Sequence, residues 1–342
     1  MKKWMAICLI LVAAAAFFLL ALGSSSDSSE TKEAEGSAQS AEQKPDESAD
    51  AADPGTEGPT ETETEPAAPE GDLSAIHVGD SVTASGLRLV YVASGVYESD
   101  NEFIQPKEGY QYIFMKIYAE NVSDSTQHFS SMDFNCYADG YAMDTDYVTL
   151  DEDIAASLSP GRHTMGRVFF QVPVDAEQIE AEYELNYFTE KKAVFLYEGE
   201  QDSGFEAPAD TEGSPDACHV GESVEAGKLT IDFLACYWDE SDNQFIHPKD
   251  GYRYVTLEFE VTNHDKSDTS VSYFSFDCYA DGAACSGTYF RDDNLSATVS
   301  PGRKAKGTVT FEVPAEAQSI EVEYDASLWI SNPVIFACEP EA

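Results

Sequence analysis

The hexapeptide NCYADG at residues 135–140 returns almost unchanged as DCYADG at residues 277–282. An Asp-Gly pair after an aromatic-rich segment is a strong short-range signal for a two-residue hairpin turn. The surrounding landmarks also recur in order, at an offset of 142 residues before the turns and 141 after them. Solenoid repeats run to about 20–50 residues, so a repeat of this length is a whole domain. The sequence therefore predicts two tandem copies of one domain.

Five further motifs are shared by the two copies and keep their order. They are HVG at 77–79 and 219–221, ESDN at 98–101 and 240–243, SPGR at 159–162 and 300–303, F-x-VP at 170–173 and 311–314, and IE-x-EY at 179–183 and 320–324.

The clearest strand signal is the segment from residue 110 to residue 121, where apolar residues alternate with polar or aromatic ones. The inward set is Ile113, Met115, Ile117 and Ala119, and its counterparts in the second copy are Val255, Leu257, Phe259 and Val261. A period of two with one buried face is typical of an antiparallel sheet. Roughly seven or eight short strands in about 120 residues predict an all-β fold with an immunoglobulin-like antiparallel β-sandwich in each copy.

Taken together, these motifs resemble the bacterial family called domain of unknown function 4352, in two tandem copies. That family is similar to the immunoprotective extracellular antigen fold, an immunoglobulin-like sandwich of secreted and membrane-attached proteins. The resemblance extends over both copies and implies an extracytoplasmic protein. It brings no catalytic or ligand-binding residues that could be assigned to positions in this chain.

The amino-terminal segment has the features of a membrane anchor or a signal peptide. Lys2 and Lys3 precede an apolar run from Trp4 to Gly23, and about 20 apolar residues suffice to span a membrane as a helix. We expect a single-pass anchor with the lysines inside and the domains outside the cell membrane. The alternative is a signal peptide cleaved after the small residues that end the run, which would make the protein secreted.

Composition divides the rest of the chain. Residues 24–74 are rich in Ser, Glu, Asp, Thr, Ala and Pro and lack aromatic residues, which predicts a disordered acidic linker. The expected organisation is therefore an anchor or signal at 1–23, the linker at 24–74, one domain at 75–197, a Gly/Pro-containing linker at 198–217, and a second domain at 218–339.

The chain carries 64 acidic against 19 basic residues, a formal charge of −45. A nucleic-acid binder needs a basic surface, and none is present, so nucleic acid is excluded as a partner. Anionic lipid would also be repelled, which leaves the amino-terminal helix as the membrane contact. Such acidity suits solubility, weak cation binding or a basic partner.

The seven cysteines suit an exported, oxidising environment. Cys136 has no partner in its own domain and Cys278 is its equivalent, so we expect both to be buried free thiols. The second domain has four additional cysteines that the first lacks. We expect bridges joining Cys218 to Cys338 and Cys236 to Cys285, with a Cys278–Cys285 bridge across the hairpin as the competitor.

Signals for chemistry are sparse. The repeated ESDN loop supplies weak calcium candidates, since oxygen-rich loops can hold that ion: Glu98, Asp100, Asn101, Glu240, Asp242 and Asn243. The spacing is not that of an EF-hand, and acids near a turn usually serve as caps. Arg162 and Arg303 occupy matched turns, where we expect an ion pair that holds the turn. No histidine lies in a catalytic or metal-binding motif, so we expect no metal, no cofactor and no enzymatic activity.

These observations predict a non-enzymatic, membrane-anchored binding or adhesion module outside the cytoplasm of a bacterium. Its ligand would be a protein or a component of the cell envelope. The alternative is a secreted or surface protein with a calcium-dependent or enzymatic role.

Overall fold

The computed structural model describes residues 73–99, 101–143, 154–186, 191–325 and 333–340. The expected anchor at 1–23 and nearly all of the acidic linker lie outside these residues. Across the described ranges, no helix is long and apolar enough to cross a membrane. The described residues are all-β, with two short 3-10 turns at Ser131–Asp133 and Tyr273–Ser275.

The first copy contains ten strands. They are β1 (Ser81–Ala84), β2 (Leu87–Tyr97), β3 (Tyr110–Asn121), β4 (Gln127–Phe129), β5 (Phe134–Ala138), β6 (Tyr141–Met143), β7 (Ala156–Leu158), β8 (His163–Pro173), β9 (Ile179–Asn186) and β10 (Lys191–Tyr197).

Two sheets enclose the first core. One has the order β1-β2-β3-β8 and the other β10-β9-β5-β6, while β4 pairs with β7. The buried core draws side chains from both sheets, such as Tyr91 from β2 and Phe195 from β10. Their rings meet edge to face with centroids 5.5 Å apart. The first copy is therefore a β-sandwich with its own core.

A short strand and the second copy follow. They are β11 (Gln201–Asp202), β12 (Ser223–Ala226), β13 (Leu229–Asp239), β14 (Tyr252–Asn263), β15 (Thr269–Ser272), β16 (Phe276–Ala280), β17 (Ala283–Thr288), β18 (Ser296–Val299), β19 (Lys304–Pro314), β20 (Ile320–Tyr324) and β21 (Val334–Ala337).

The second copy repeats the two-sheet arrangement around a second core. Strands β12, β13, β14 and β19 form one sheet, and β16, β20 and β21 form the facing one. Strand β17 pairs with both β16 and β19. The registers of β5 with β9 and of β16 with β20 are equivalent position for position.

The Asp-Gly turns explain the sequence motif. Asp139 and Gly140 have φ angles of 50° and 80°, and Asp281 and Gly282 have 49° and 84°. Positive φ at both positions defines the hairpin turn that the motif predicts, which is confirmed. Oδ1 of Asp139 also accepts hydrogen bonds from the backbone of residues 177 and 178, and Asp281 does the same for residues 318 and 319. The aspartate thus ties the hairpin to the start of the neighbouring strand.

The alternation in β3 and β14 is confirmed as well. Both strands have the predicted bounds, and every residue of the inward sets is fully buried. The segment between the copies packs against the first copy. Strand β11 pairs with β2, and Phe205 and Ala207 pack on the outer side of the first copy.

Candidate functional site

The two copies meet at the turn that carries Arg162. Arg162 is a buried residue, with only 7% of its surface exposed. Its Nη2 donates to Oε2 of Glu321 at 2.5 Å and its Nε to Oε1 of Glu323 at 2.8 Å, both on β20 of the second copy. Arg162 does form ion pairs, and their partners lie on the other copy. Arg162 links one copy to the other.

Electrostatics favour the charged form of this cluster. Burial alone would lower the pKa of Arg162, but the carboxylates of Glu323 and Glu321 outweigh burial and raise it. Burial opposes ionisation of Glu321, yet hydrogen bonds from Arg162 and from the backbone N–H of Ser214 lower its pKa. Removing one partner of a buried pair typically costs about 3–5 kcal/mol, because it strands the other charge.

Tyr279 of β16 completes this contact. Its ring lies under the guanidinium, with Cζ of Arg162 4.7 Å from the ring centroid. Its hydroxyl donates to the carbonyl of Ser157 at 2.5 Å and accepts from the backbone N–H of Ser159 at 3.4 Å. We call Tyr279, Glu321 and Glu323 the arginine cradle.

The turn that carries Arg162 is held by backbone and side-chain hydrogen bonds. Gly161 has a φ of 80°, as the centre of a Pro-Gly type II turn requires. Its N–H donates to the carbonyl of Asn121, and the N–H of Asn121 donates to the carbonyl of Arg162. The Asn121 side chain is fully buried and donates to the carbonyl of Leu158 at 2.7 Å. Asn263 and Arg303 repeat these backbone bonds in the second copy.

A second attachment lies beside the cradle. The second copy's hairpin turn abuts the start of β8, where the N–H of His163 donates to the carbonyl of Gly282 at 3.2 Å. Ala283 pairs with His163 in a short parallel contact, which joins a sheet of each copy edge to edge. The N–H of Asp210 donates to the carbonyl of Asp281, so the intervening segment is held at the same place.

Next to these contacts, residues of both copies line a cleft of about 500 Å³. The first copy contributes the segments around β4 and β7, and the second contributes β16, β17 and the 3-10 turn at 273–275. A cleft of this size suits a small ligand or a side chain of a partner. Its shape depends on both copies, so it exists only while they are docked.

Three aromatic residues of the second copy line this cleft. Phe274 is 69% exposed and Tyr289 is 52% exposed, so both rings can contact a ligand in the cleft. The Tyr273 ring lies 4.2 Å from that of Phe274 and 4.7 Å from that of Tyr289, centroid to centroid. Ser272 fixes the turn, because its Oγ accepts from the N–H of Phe274. We call Tyr273, Phe274 and Tyr289 the aromatic wall.

Asp277 also lines the cleft. Burial raises the pKa of its carboxyl to about 6, and the nearby carboxylates of Glu323 and Asp325 act in the same direction. Among the described residues, no hydrogen bond reaches its carboxylate. The first copy has Asn135 at the equivalent position. A desolvated carboxylate without a cation favours a ligand that brings one.

One polar pair lies at the opening. Ser157 and His128 are cross-strand neighbours, and Oγ of Ser157 is 3.1 Å from Nδ1 of His128. A serine and a histidine in contact invite comparison with a nucleophile and its base. In the part of the chain that is described, however, no carboxylate hydrogen-bonds to this histidine to orient it. Hydrogen-bonded cross-strand pairs are ordinary features of sheet surfaces.

The calcium candidates lie elsewhere, in exposed loops. Oδ1 of Asn101 accepts from the N–H of Phe103, and Oδ1 of Asn243 accepts from the N–H of Phe245. Both asparagines therefore cap a turn. Asp100 lies outside the described residues. Over the described ranges, no group of three or more histidine, cysteine or carboxylate side chains is arranged to hold a metal ion.

The disulfide differs from the two predicted bridges. Cys236 is joined to Cys338, with Cα atoms 5.8 Å apart, and Cys218 and Cys285 are free. Cys218 instead lies beside Phe336 of β21 in a parallel bridge, and Cys338 follows two residues later, just after the end of that strand. Cys285 lies opposite Cys278 in the hairpin, and Cys236 pairs in register with Leu257. Bridges depend on which strand ends face each other, and spacing does not encode that.

Cys136 and Cys278 occupy equivalent sites and are both buried and free. Burial raises the pKa of Cys136 to about 12 and raises that of Cys278 well above its ordinary value. A thiol held protonated in this way is a poor nucleophile.

Sequence reasoning missed the cleft, although one signal for it was present. The repeats differ at the first letter of the hexapeptide, where Asn135 stands opposite Asp277. The aromatic wall shows a similar difference, since the first copy has Ser131 and Met132 where the second has Tyr273 and Phe274.

The fold, the duplicated motifs and the family comparison all indicate two tandem copies of one domain. The chain belongs to the family described as Domain of unknown function (DUF4352), whose model matches residues 76–194 and 218–335, more than half of the chain. The resemblance noted from the motifs is confirmed for both copies.

Several solved structures are similar at low identity. The ycdA protein of Bacillus subtilis is 14% identical, with a TM-score of 0.31, over 34% of this chain and 37% of its own length. A beta-sandwich protein from Clostridium difficile is 12% identical, with a TM-score of 0.24, over 37% of this chain and 97% of its own. The secreted protein MPT63 of Mycobacterium tuberculosis is 13% identical, with a TM-score of 0.27, over 36% of this chain and 99% of its own. Nothing among the curated proteins matches the chain in sequence.

Proposed function

We propose that this chain is a non-enzymatic binding module outside the bacterial cytoplasm, built from two immunoglobulin-like domains and anchored by its amino-terminal apolar segment. Its ligand is a cationic group of a protein or of a cell-envelope component, held in the cleft between the copies. The observation that carries this proposal is the pairing of an exposed aromatic wall with the half-buried carboxylate of Asp277 in one cleft.

The chemistry of the cleft supports a cation. Aromatic faces attract lysine, arginine or other ammonium groups within about 6 Å, and more strongly when water is excluded. A cationic ligand would supply the positive charge that the surroundings of an ionised Asp277 lack. A formal charge of −45 would raise the encounter rate with a basic partner, and this effect falls with ionic strength.

The repeat supplies a matched pair of variants for testing this proposal. We expect a short lysine–glycine peptide to bind the full chain, and a glutamine–glycine peptide of the same length not to bind, in calorimetric titrations. Asp277→Asn installs the residue of the first copy and should weaken binding about tenfold, because a buried charge pair loses one partner. Asn135→Asp, outside the cleft, should leave the affinity unchanged. Equal affinities for the wild type and Asp277→Asn would refute the proposed site.

Acidity provides a second test of the same site. Above pH 6 the Asp277 carboxyl is ionised, and below it the group becomes neutral. We therefore expect affinity for the lysine peptide to fall as the pH drops from 7 to 5. The Asp277→Asn variant should show a flat profile over this interval.

The location is tested separately. Lys2, Lys3 and the apolar run from residue 4 to residue 23 support an uncleaved anchor. Amino-terminal sequencing of the mature protein should begin at or near Met1. A start near Ser24, with the protein in the culture medium, would indicate a cleaved signal peptide.

A further inference from the structure

Each half of the contact between the copies has an equivalent in the opposite copy. In the first copy, Tyr137, Glu180 and Glu182 stand at the positions of Tyr279, Glu321 and Glu323. They also share the cradle's strand register, since Tyr137 pairs with Glu180 as Tyr279 pairs with Glu321. We call these three residues the open cradle.

Burial distinguishes the two cradles. Tyr279, Glu321 and Glu323 are 1%, 2% and 3% exposed, whereas all three residues of the open cradle are partly exposed. The Asp-Gly hairpin turn beside each cradle shows the same difference in burial. Nothing described lies within 4 Å of a side chain placed at Gly140, while Gly282 is packed against His163 and Asp210. The first copy therefore presents, in the open, the surface that the second copy buries.

The arginine turns show the reverse asymmetry. Arg303 has the position and the backbone hydrogen bonds of Arg162, but it is exposed where Arg162 is 7% exposed. Within the part of the chain that is described, the second copy thus presents an exposed arginine donor, and the first copy presents a partly exposed acceptor surface.

We infer that the partner for these surfaces is a second copy of this chain, with the Arg303 turn of one molecule seated in the open cradle of the next. The contact within the chain provides the template, and the charges are complementary. Because the contact joins unlike surfaces, its repetition generates an open row of molecules or a closed ring, not a two-fold dimer.

Two features weaken the contact between molecules relative to the contact within one. Glu182 is paired with Lys192, whose counterpart in the second copy is Pro333, so an incoming arginine must displace that partly exposed lysine or share Glu182 with it. The two copies within one chain also gain from their tether, which acts as a high local concentration. The negative charge of each molecule repels the other molecule at long range, although physiological salt screens this repulsion beyond about 8 Å. Association is therefore reversible and depends on concentration.

The unlike surfaces allow a decisive mixing experiment with the full chain in detergent micelles. Arg303→Gln leaves a molecule that can only accept, and the double variant Glu180→Gln, Glu182→Gln leaves one that can only donate. Sedimentation velocity at physiological ionic strength should show dimers and larger species for the wild type, increasing with concentration. Each variant alone should associate at least about tenfold more weakly.

Mixing the two variants should restore a one-to-one complex that grows no further, because each molecule has one working surface. Lys304→Gln removes the same charge from the next residue and should behave as the wild type. The proposal is overturned if the wild type stays monomeric, if either variant alone associates like the wild type, or if the mixture stays monomeric.

Discussion

Arg162 and Arg303 occupy the same turn with the same backbone hydrogen bonds, yet only the first is buried. Arg162 contacts the copy that follows it in the chain, whereas Arg303 is exposed among the described residues. One motif therefore serves as a domain contact in one copy and as a free surface in the other. A duplicated domain carries its own docking surfaces, and the order of the copies decides which of them are filled.

The largest expected difference between the copies comes from the disulfide. The Cys236–Cys338 bridge closes a separation of 102 residues, for which the chain-entropy model gives about 4–5 kcal/mol. Cys236→Ser with Cys338→Ser should lower the melting temperature of the second copy and leave that of the first nearly unchanged, as followed by calorimetry.

Cys136→Ser provides the control in the other copy, since it removes a buried thiol without removing a bridge. Non-reducing peptide mapping should find Cys236 joined to Cys338. A map that joined Cys218 to Cys338 instead would contradict the arrangement of β13 and β21.

The next effect concerns Asp277 and Asn135. The pKa of Asp277 in the folded state is about 6, above its ordinary value of 3.8, so the folded state holds this proton more tightly than the unfolded one. The stabilising contribution is complete below pH 4 and is lost as the pH rises through 6. Ionised Asp277 therefore opposes folding at neutral pH, by at most about 3 kcal/mol.

Asp277→Asn should consequently stabilise the protein by about 1–3 kcal/mol at pH 7.5 in urea unfolding, and this gain should vanish near pH 4. Asn135→Asp changes an exposed position and should shift stability by less than about 0.5 kcal/mol. A gain that is the same at both pH values would show that ionisation of Asp277 is not its source.

The smallest effect separates the two tyrosines of the hexapeptides. Tyr279→Phe removes the hydroxyl that contacts Ser157 and Ser159 and should cost about 1–2 kcal/mol, because the partner groups lose a buried hydrogen bond. Tyr137→Phe, in the open cradle, should cost close to nothing. The comparison is made by the urea midpoint at an unchanged denaturant slope, and equal costs would show that burial of Tyr279 does not matter.

Local features were predictable because they depend on neighbours in sequence. Alternation placed β3 at Tyr110–Asn121, and Asp139-Gly140 announced its hairpin, since backbone preference and one-sided burial act over a few residues. Repetition revealed two domains without any knowledge of their packing.

Contacts across the molecule were not predictable in this way. The partners of Arg162 lie about 160 residues away on another domain, and the Ser-Pro-Gly-Arg turn itself is identical around Arg162 and Arg303. The pairing of Cys236 with Cys338 likewise depends on how β13 and the end of β21 meet. The cleft depends on domain docking, so only differences between the copies, such as Asn135 against Asp277 and Met132 against Phe274, hinted at it.

The most direct test asks whether Arg162 holds the copies together. Backbone N–H groups of Ser159, His163 and Ser214 donate across the contact to groups of the second copy, so their hydrogen exchange reports on docking. In Arg162→Met we expect exchange at these three amides to accelerate at least about tenfold while both cores stay protected. Arg303→Met, which removes the same charge from the matched turn, should leave them at the wild-type rate. Unchanged exchange in Arg162→Met, or equal acceleration in both variants, would contradict the role assigned to Arg162.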